Sequence, residues 1–454
     1  MYSTTRRTFI RQAACAALTT SGLLNTIFDL RRLSAATIVE GDYKALVCLF
    51  LFGGNDANNV IVPNDAAGYA SYAAARGVLA LPQNTILPLT LQNGDGRQFA
   101  FHQNLIELQS LFNQGKLGLV SNVGTLVAPV TRAEYLRGGA AVPPQLFSHN
   151  DQSVQWQTSV PDQISRTGWG GRMADALQSL NGDAKISLSI SIAGTNTFEV
   201  GNTVLPYTVS PTGSVGLTGF DGTANANVRL QAFKQLLALP HNNLFEQAYS
   251  DTVTRSIAAN ELLTSALAGV ADPQTPFPNP ATSLGNQLKM VAKLIAARTN
   301  LGMRRQIFFC SVGGYDTHGD QLVGQANLLT ELSQALNAFY ATTQELGVAD
   351  QVTTFTASDF GRTYPTNGGG SDHGWGSHQF VLGGAVRGGQ LFGTFPTLAV
   401  NGPDDTGQGR WIPTTSVDEF SATLATWFGV SASDLSMVLP NIGRFAQPNL
   451  GIFG

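Results

Sequence analysis

Five apolar runs separated by helical segments constrain the fold of this chain more than any other feature. They lie at 45–52, 117–124, 186–192, 306–312 and 352–356, and most are rich in apolar, aromatic or β-branched residues. Continuous runs of this kind, bounded by glycine, are typical of strands buried on both faces of a parallel sheet. Because helical segments lie between the strands, we predict an α/β fold with a mainly parallel sheet flanked by helices.

Polar residues follow three of the predicted strands in similar sequences. Asp56 ends Gly-Gly-Asn-Asp after the first run, Asp316 and His318 belong to Gly-Gly-Tyr-Asp-Thr-His after the fourth, and Asp359 ends Ala-Ser-Asp after the fifth. The carboxyl ends of parallel strands lie at one edge of a sheet, where open α/β sheets bind their ligands. We therefore expect these side chains to converge if the three strands are neighbours.

A glycine-rich loop after Asp359 carries further polar groups, namely Arg362, Asp372, His373 and His378. Glycine lets the backbone approach a ligand closely, so a loop of this composition can form the wall of a site. Four of the six histidines in the chain lie in such polar loops. The alternative is a flexible surface loop whose polar residues are solvated.

Carboxylates and imidazoles together suit zinc, manganese, iron, calcium or magnesium better than metals that prefer thiolates. We therefore predict a divalent metal site in these loops. Its candidate ligands are Asp56, Asp316, His318, Asp359, His373 and His378. For each residue taken alone, an ordinary hydrogen-bonded loop position is the alternative.

The N-terminus contains Arg6-Arg7, followed by a mostly apolar segment from Ala13 to about Ile27. This pattern resembles a twin-arginine export signal, and the apolar segment is too short and too polar for a stable membrane span. We predict that residues 1–35 are a signal read by the twin-arginine export machinery, and that the protein is periplasmic or extracellular. An amphipathic N-terminal helix is the alternative.

The charge of the remaining chain argues against a nucleic-acid partner. Residues 1–35 contain five of the 26 basic and one of the 30 acidic side chains, so the rest carries a formal charge of −8. Binding of nucleic acid depends on clustered Lys and Arg, and no basic stripe is present outside the first segment.

We predict that residues 41–454 form one α/β domain. Within it, residues 195–227 are rich in Gly, Thr and Ser, and two helical segments follow. A proline-rich link at 273–280 then leads to a further helix. We interpret residues 195–298 as an insertion or lid.

Taken together, the motifs resemble domain-of-unknown-function family 1501. They are Gly-Gly-Asn-Asp56, Phe-Ser148-His149-Asn-Asp-Gln, Gly-Gly-Tyr-Asp316-Thr-His318 and Asp359-Phe-Gly-Arg362…Asp372-His373-Gly, with the paired arginines at the start. That family is grouped with the alkaline phosphatase and sulfatase superfamily. The resemblance implies an alkaline-phosphatase-like fold and a two-metal site that hydrolyses phosphate or sulfate esters.

The sequence departs from the superfamily pattern at two points. Asp316 and His318 are closer together than the usual Asp-x-x-x-His pair, and Phe360, which follows Asp359, cannot bind a metal. Three alternatives to a full two-metal site therefore remain open: a site with a single metal, an altered site, and a degenerate scaffold.

The resemblance also implies a nucleophile at a helix N-terminus, where backbone N–H groups help to hold an anion. Ser148 fits this position, with His149 beside it, although Ser148-His-Asn-Asp151 also matches a capping box. Ser153 and Thr125 are alternative nucleophiles. Arg362 is a candidate to bind a phosphate or sulfate oxygen through two hydrogen bonds. The alternative is a salt bridge that stabilises its loop. We take Ser148, His149 and Arg362 as candidate catalytic residues.

These observations predict an exported metal-dependent hydrolase that acts on a phosphate or sulfate ester of a small molecule or glycan. The metal would polarise the ester oxygen and lower the pKa of the attacking group. The alternative is a non-catalytic binding or assembly protein that reuses the same scaffold.

Overall fold

The computed structural model describes residues 43–220 and 222–454, so the predicted export signal lies outside the described residues. In this part of the chain the strands are β1 (Lys44–Leu51), β2 (Ile61–Pro63), β3 (Leu87–Pro88), β4 (Phe99–Phe101), β5 (Leu117–Gly124), β6 (Ser189–Ser191), β7 (Tyr207–Ser210), β8 (Gly213–Ser214), β9 (Arg305–Val312), β10 (Val352–Ser358), β11 (Ser377–Gly383), β12 (Leu391–Phe392) and β13 (Thr415–Ser416). The α-helices are α1 (Ala66–Arg76), α2 (Ile106–Asn113), α3 (Arg132–Arg137), α4 (His149–Thr158), α5 (Trp169–Leu177), α6 (Ala224–Leu237), α7 (Leu244–Ala268), α8 (Ser283–Ala296), α9 (Gln321–Glu345), α10 (Val417–Phe428) and α11 (Leu435–Val438).

Ten of these strands form one sheet, in the order β12-β5-β11-β10-β1-β9-β6-β7-β8, with β13 also paired to β5. The central strands β10, β1, β9 and β6 are all parallel, whereas β11 runs antiparallel between β10 and β5. The prediction of a mixed α/β fold with a mainly parallel sheet is confirmed. The remaining strands β2, β3 and β4 form a small separate sheet.

The central strand β1 is apolar throughout because both of its faces are covered. Its residues Val47 and Leu49 belong to the apolar cluster on one face of the sheet, and Leu46 and Phe50 to the cluster on the other face. Helices α8 and α9 cover the first face, and α5 and α10 cover the second. A strand covered on both faces has no exposed side to carry polar side chains.

The segment predicted as an insertion or lid, residues 195–298, has two different parts. Helix α8 belongs to the core, because its Leu288 and Ile295 are fully buried. Helices α6 and α7 instead leave apolar side chains exposed, such as Leu236 on α6 and Leu244 on α7. Any lid would therefore have to lie before α8.

Among the described residues, the helices are either too short or too polar to pass through a lipid bilayer. The two cysteines in this part of the chain, Cys48 and Cys310, are both free and buried.

The parallel strands bring the polar sequences to one edge of the sheet. Leu51 at the end of β1 is in register with Val312 on β9 and with Ser358 on β10. The loops that follow these three strands therefore start side by side. Because β11 returns antiparallel to β10, the glycine-rich loop between them also begins and ends at this edge.

Candidate metal centre

Gly53 lies where the ends of the three central strands pack together. Its backbone N–H donates to Asp359 Oδ2 over 3.1 Å. Its φ is +116°, and a Cβ added there would lie 2.3 Å from the backbone nitrogen of Asp316. Only glycine accommodates both the positive φ and this close approach. The Gly-Gly turn after β1 therefore lets the loops that carry Asp316 and Asp359 lie against it.

Three side chains from distant parts of the sequence form the centre of the site: His149, Asp316 and His373. One candidate ligand atom from each lies within 4.8 Å of the others. His149 Nε2 is 3.1 Å from His373 Nε2, and Asp316 Oδ1 is 3.5 Å from His149 Nε2 and 3.3 Å from His373 Nε2.

His318 adjoins this trio. Its Nε2 lies 2.9 Å from His373 Nε2 and 3.1 Å from Asp316 Oδ1. Three imidazoles therefore turn their Nε2 atoms toward Asp316, which is the only carboxylate in contact with all three among the described residues.

The opposite nitrogen of each imidazole, Nδ1, is held by a separate acceptor. His149 Nδ1 lies 2.6 Å from Asp359 Oδ2, and His318 Nδ1 lies 3.1 Å from Asp372 Oδ1. His373 Nδ1 lies 2.7 Å from the carbonyl oxygen of Phe147. Metal-binding histidines commonly donate their second N–H to a carboxylate or a backbone carbonyl, which fixes the ring and its tautomer.

The tautomer of His373 follows from its partner, because a carbonyl oxygen only accepts. Nδ1 must carry the proton, and burial, opposed in part by this hydrogen bond, lowers the pKa of His373. At neutral pH its Nε2 therefore presents a lone pair to two further imidazole nitrogens and a carboxylate oxygen. Lone pairs at such distances repel one another unless a cation or a proton lies between them.

The carboxylate of Asp316 is charged at neutral pH. Its partial burial is the largest single influence and acts to raise the pKa, but the hydrogen bond and charge of Arg362, together with the charges of His149 and His318, outweigh it, and the net pKa is below the ordinary value. A charged carboxylate and neutral imidazoles are the protonation states in which these groups bind metals.

The spacing of these atoms fits a metal ion. Around an ion with bonds of roughly 2.0–2.2 Å, tetrahedral ligand atoms lie about 3.3 Å apart. The three contacts within the trio of His149, Asp316 and His373 are 3.1, 3.3 and 3.5 Å. Nitrogen and carboxylate oxygen donors are the ligands that zinc and related divalent metals take. The residues present therefore suit a divalent ion.

Two of the predicted metal ligands lie elsewhere. Asp56 is buried and forms an ion pair with Arg76, and Gln321 donates to the same oxygen, so its carboxylate is already neutralised within the protein. His378 lies on β11, stacks on Phe395, and accepts a hydrogen bond from a backbone N–H through Nδ1. Burial lowers the pKa of His378 to about 3. Neither residue contacts the trio.

Asp359 and His149 are in direct contact, and only His149 belongs to the trio. Asp359, a predicted ligand, is only 2% exposed and directs one oxygen to His149 Nδ1. Burial raises the pKa of Asp359, and the hydrogen bonds from His149 and Gly53 oppose that shift. His149, predicted as catalytic, instead presents Nε2 to the trio. The structure therefore places Asp359 behind the imidazole that it orients.

Arg362 does not have the exposure that an anion-binding role requires. Its side chain has no exposed surface, and one Nη donates to Asp316 Oδ1 over 2.8 Å while the other donates to the carbonyl of Ser371. The alternative reading, a salt bridge that stabilises the loop, matches this geometry.

Ser148 precedes α4, as the sequence suggests, but its side chain does not cap the backbone. Its hydroxyl donates to Asp151 Oδ2 over 2.6 Å. The N-cap position is therefore as predicted, whereas a complete capping box is not formed. A role for Ser148 as nucleophile stays a prediction.

Three residues around the centre are absent from the sites predicted from the sequence: Arg76, Gln321 and Arg410. Arg76 and Gln321 lie on helices of ordinary composition, and only the folded chain shows that they surround Asp56. Arg410 lies outside every motif, yet its Nε donates to the carbonyl oxygen of His373 over 2.8 Å. A basic residue in a glycine-rich stretch, Gly-Gln-Gly-Arg, is the signal that could have found it.

The fold and the site together define an α/β protein with a mainly parallel sheet and a centre rich in histidine and aspartate at the carboxyl edge. The chain belongs to the family described as "Protein of unknown function (DUF1501)", whose family model matches residues 43–439. The family predicted from the motifs is thereby confirmed. No curated protein matches this chain.

Solved structures similar to this chain include a protein in the alkaline phosphatase superfamily from Vibrio parahaemolyticus, with 11% identity, a TM-score of 0.38, and coverage of 91% of this chain and 77% of that one. The PsFucS1 sulfatase from Pseudoalteromonas sp. has 11% identity, a TM-score of 0.36, and coverage of 94% and 77%. The C-terminal periplasmic domain of EcEptC from Escherichia coli, in complex with Zn, has 10% identity, a TM-score of 0.36, and coverage of 91% and 92%.

Proposed function

We propose that this chain is an exported, metal-dependent hydrolase of phosphate or sulfate esters. The observation that carries the proposal is that three imidazoles, each held at Nδ1, turn Nε2 toward one carboxylate. His149, His318, His373 and Asp316 would hold the ion. The ester class comes from the resemblance of the motifs to the alkaline phosphatase and sulfatase superfamily.

A bound divalent ion supplies Lewis-acid polarisation of an ester oxygen and lowers the pKa of an attacking group. The chain's own residues prepare the site for it. Asp359 and Asp372 lie against Nδ1 of His149 and His318 and favour the tautomer in which the lone pair of the neutral ring is at Nε2. The buried guanidinium of Arg362 fixes Asp316 as a charged carboxylate.

Ser148 is the nucleophile that we propose to test. It lies next in the chain to His149 and directly before α4, where the positive end of the helix favours an anion. Its hydroxyl donates to Asp151, and this carboxylate is in place to accept the hydroxyl proton.

Export is part of the proposal. Arg6-Arg7 and the apolar segment after it support recognition by the twin-arginine machinery and a periplasmic or extracellular location. This machinery transports folded proteins, so a metal centre could be assembled before export.

Metal content is the decisive measurement, made on the protein purified from its native host. We expect one or more equivalents of a divalent metal at neutral pH. Asp359→Asn and His149→Ala should lower the metal content at least several-fold, because the first removes the group that orients the imidazole and the second removes the ligand itself. Metal binding should weaken as the pH falls, since protonated imidazoles cannot bind.

His241→Ala is the matched control. His241 is also a hydrogen-bonded histidine, with Nε2 at 2.9 Å from Ser250 Oγ, but it lies between α6 and α7. Its loss should leave the metal content unchanged. Metal-loaded protein should then hydrolyse at least one of a phosphomonoester, a phosphodiester and a sulfate ester, and Ser148→Ala should reduce that rate.

Two outcomes would contradict the proposal in different ways. Protein with neither bound metal nor a melting shift on addition of zinc, manganese, iron, calcium or magnesium would indicate a degenerate scaffold. Protein with bound metal but no activity on any of the three ester classes would favour the non-catalytic binding alternative.

A further inference from the structure

Arg410 lies at the edge of the candidate metal centre and is held there by two contacts. Its Nε donates to the carbonyl oxygen of His373 over 2.8 Å. Its guanidinium carbon lies 4.4 Å from the centre of the Phe147 ring. His373 and Phe147 are themselves linked, because the Phe147 carbonyl accepts from His373 Nδ1. The guanidinium therefore packs against His373, which belongs to the trio, and against Phe147, which holds the His373 ring.

The loop that carries Arg410 is rigidly braced. Asp405 is fully buried, and its Oδ1 accepts from the backbone N–H groups of Gly407 and Arg410 at 2.8 and 2.9 Å. Gly409 has a φ of +69°, and a Cβ added there would lie 2.6 Å from Tyr364 Cβ. Such a loop fixes the position of the arginine before any ligand binds.

The two arginines near the centre differ in what their terminal nitrogens do. Both Nη atoms of Arg362 are engaged by protein oxygens, and the side chain is completely buried. Arg410 is half-buried, and within residues 43–220 and 222–454 its Nη atoms have no hydrogen-bond partner. Arg410 thus offers the two parallel N–H donors that a guanidinium uses to bind a tetrahedral oxyanion.

We propose that Arg410 binds the phosphate or sulfate group of the ligand beside the metal centre, in the role that the sequence suggested for Arg362. This inference rests on the proposed function for the identity of the ligand. The cation–π contact with the Phe147 ring positions the guanidinium, and the bond from Nε to His373 leaves the two Nη atoms for the anion.

The test uses inorganic phosphate and inorganic sulfate as probes, titrated calorimetrically into the full-length, metal-loaded protein. Arg410→Gln should weaken binding of the anion that the wild-type protein prefers by about tenfold or more, with unchanged metal content. Arg410→Lys should recover part of the affinity, because lysine restores the positive charge but lacks the two parallel N–H donors of a guanidinium. With an ester substrate, KM should rise more than kcat falls.

Arg229→Gln is the matched control. Arg229 also contacts an aromatic ring, at 5.9 Å from the Phe220 centroid, and donates to the carbonyl of Gly219 at 2.9 Å, but it lies on α6. Its replacement should leave anion affinity unchanged. Melting temperatures and metal contents of all variants show whether the fold and the centre persist.

The outcomes separate this inference from the proposed function. If wild-type protein binds metal and an anion, and Arg410→Gln binds that anion equally well, the role of Arg410 is refuted while the hydrolase proposal stands. If the protein lacks metal but binds phosphate or sulfate in a manner that depends on Arg410, the inference survives and the metal-dependent function fails. A wild-type protein that binds neither anion overturns the inference directly.

Discussion

The chemistry of the candidate centre depends on which nitrogen of each histidine is free. Asp359, Asp372 and the Phe147 carbonyl occupy the Nδ1 positions, so Nε2 is available in all three rings. The hydrogen bond from Asn367, opposed by partial burial, lowers the pKa of Asp372, which keeps it a charged acceptor for His318. At the scale of single residues, therefore, the acceptors behind the imidazoles, namely Asp359, Asp372 and the Phe147 carbonyl, decide which ring nitrogen can bind a ligand.

A second buried acid lies apart from this centre and gives a testable pH dependence. Glu199 is fully buried, and burial raises its pKa from 4.5 to about 8, while a hydrogen bond from Asn196 opposes the shift. The folded state therefore keeps a proton that the unfolded chain releases. The corresponding stability is fully present below about pH 4.5 and is lost as the pH rises through about 8.

We predict that Glu199→Gln unfolds at the same temperature as the wild type near pH 5 and at a higher temperature near pH 9. The amide is neutral at both pH values, so it avoids the cost of a buried charge, roughly 1.4 kcal/mol per pH unit over the affected range. Thermal melts across this pH range measure the effect. Glu261→Gln, on an exposed side chain of α7, is the control. Parallel pH profiles for Glu199→Gln and wild type would refute the prediction.

At the scale of secondary-structure elements, Arg76 links α1 to the loop after β10. Its side chain is fully buried; it pairs with Asp56 and donates to the carbonyl oxygens of Thr363 and Tyr364 at 3.1 and 2.8 Å. Tyr364 lies two residues beyond Arg362, which holds Asp316. The ion pair therefore supports the loop from which part of the candidate centre is built.

We predict that Arg76→Met lowers the free energy of unfolding by about 3–5 kcal/mol, because it leaves the Asp56 carboxylate buried without its cation. Urea denaturation measures the loss. Adding Asp56→Asn to Arg76→Met should restore part of it, since the remaining group is then neutral.

Arg97→Met provides the comparison for this prediction. Arg97 also pairs with an aspartate, Asp95, but the side chains are 47% and 56% exposed. An exposed pair contributes about 1 kcal/mol or less. Equal denaturation midpoints for Arg76→Met and Arg97→Met would show that the buried pair does not stabilise the fold as argued.

At the scale of the whole molecule, the sheet topology creates the site. Parallel strands β1, β9 and β10 start three loops at one edge, and antiparallel β11 returns a fourth segment to it. His149 arrives separately, at the start of α4 after β5. The helices on the two faces keep the strands rigid, so that residues more than 200 positions apart, such as His149 and Asp359, meet at 2.6 Å.

Export is also a property of the whole chain and can be tested directly. Replacing both Arg6 and Arg7 with lysine should leave the protein in the cytoplasm, because the twin-arginine machinery reads the pair itself and not only its charge. Fractionation and immunoblotting of the native host measure this. Arg31 and Arg32 supply the control pair, whose replacement with lysine should still allow export. A processed, exported Arg6→Lys/Arg7→Lys variant would contradict the twin-arginine interpretation.

The sequence by itself determined the sheet and the edge at which the polar residues gather. The apolar run in β1 predicts burial on both faces, and the Gly-Gly-Asn-Asp and Gly-Gly-Tyr-Asp motifs predict where the strands end. These features depend on local patterns, since burial and chain reversal impose residue types over a few positions. The sequence therefore predicts that Asp316, His318 and His373 lie at the same edge of the sheet.

Only the tertiary structure decided which polar groups face the centre and which support it. Asp56 is neutralised by Arg76, His378 lies against Phe395, and Arg362 is buried. Arg410 lies beside His373, and in the part of the chain that the structure describes its terminal nitrogens have no hydrogen-bond partner. Each outcome depends on partners that are far away in sequence. Burial and hydrogen bonding, which fix charge, tautomer and exposure, arise when those distant segments pack together, and no local pattern encodes them.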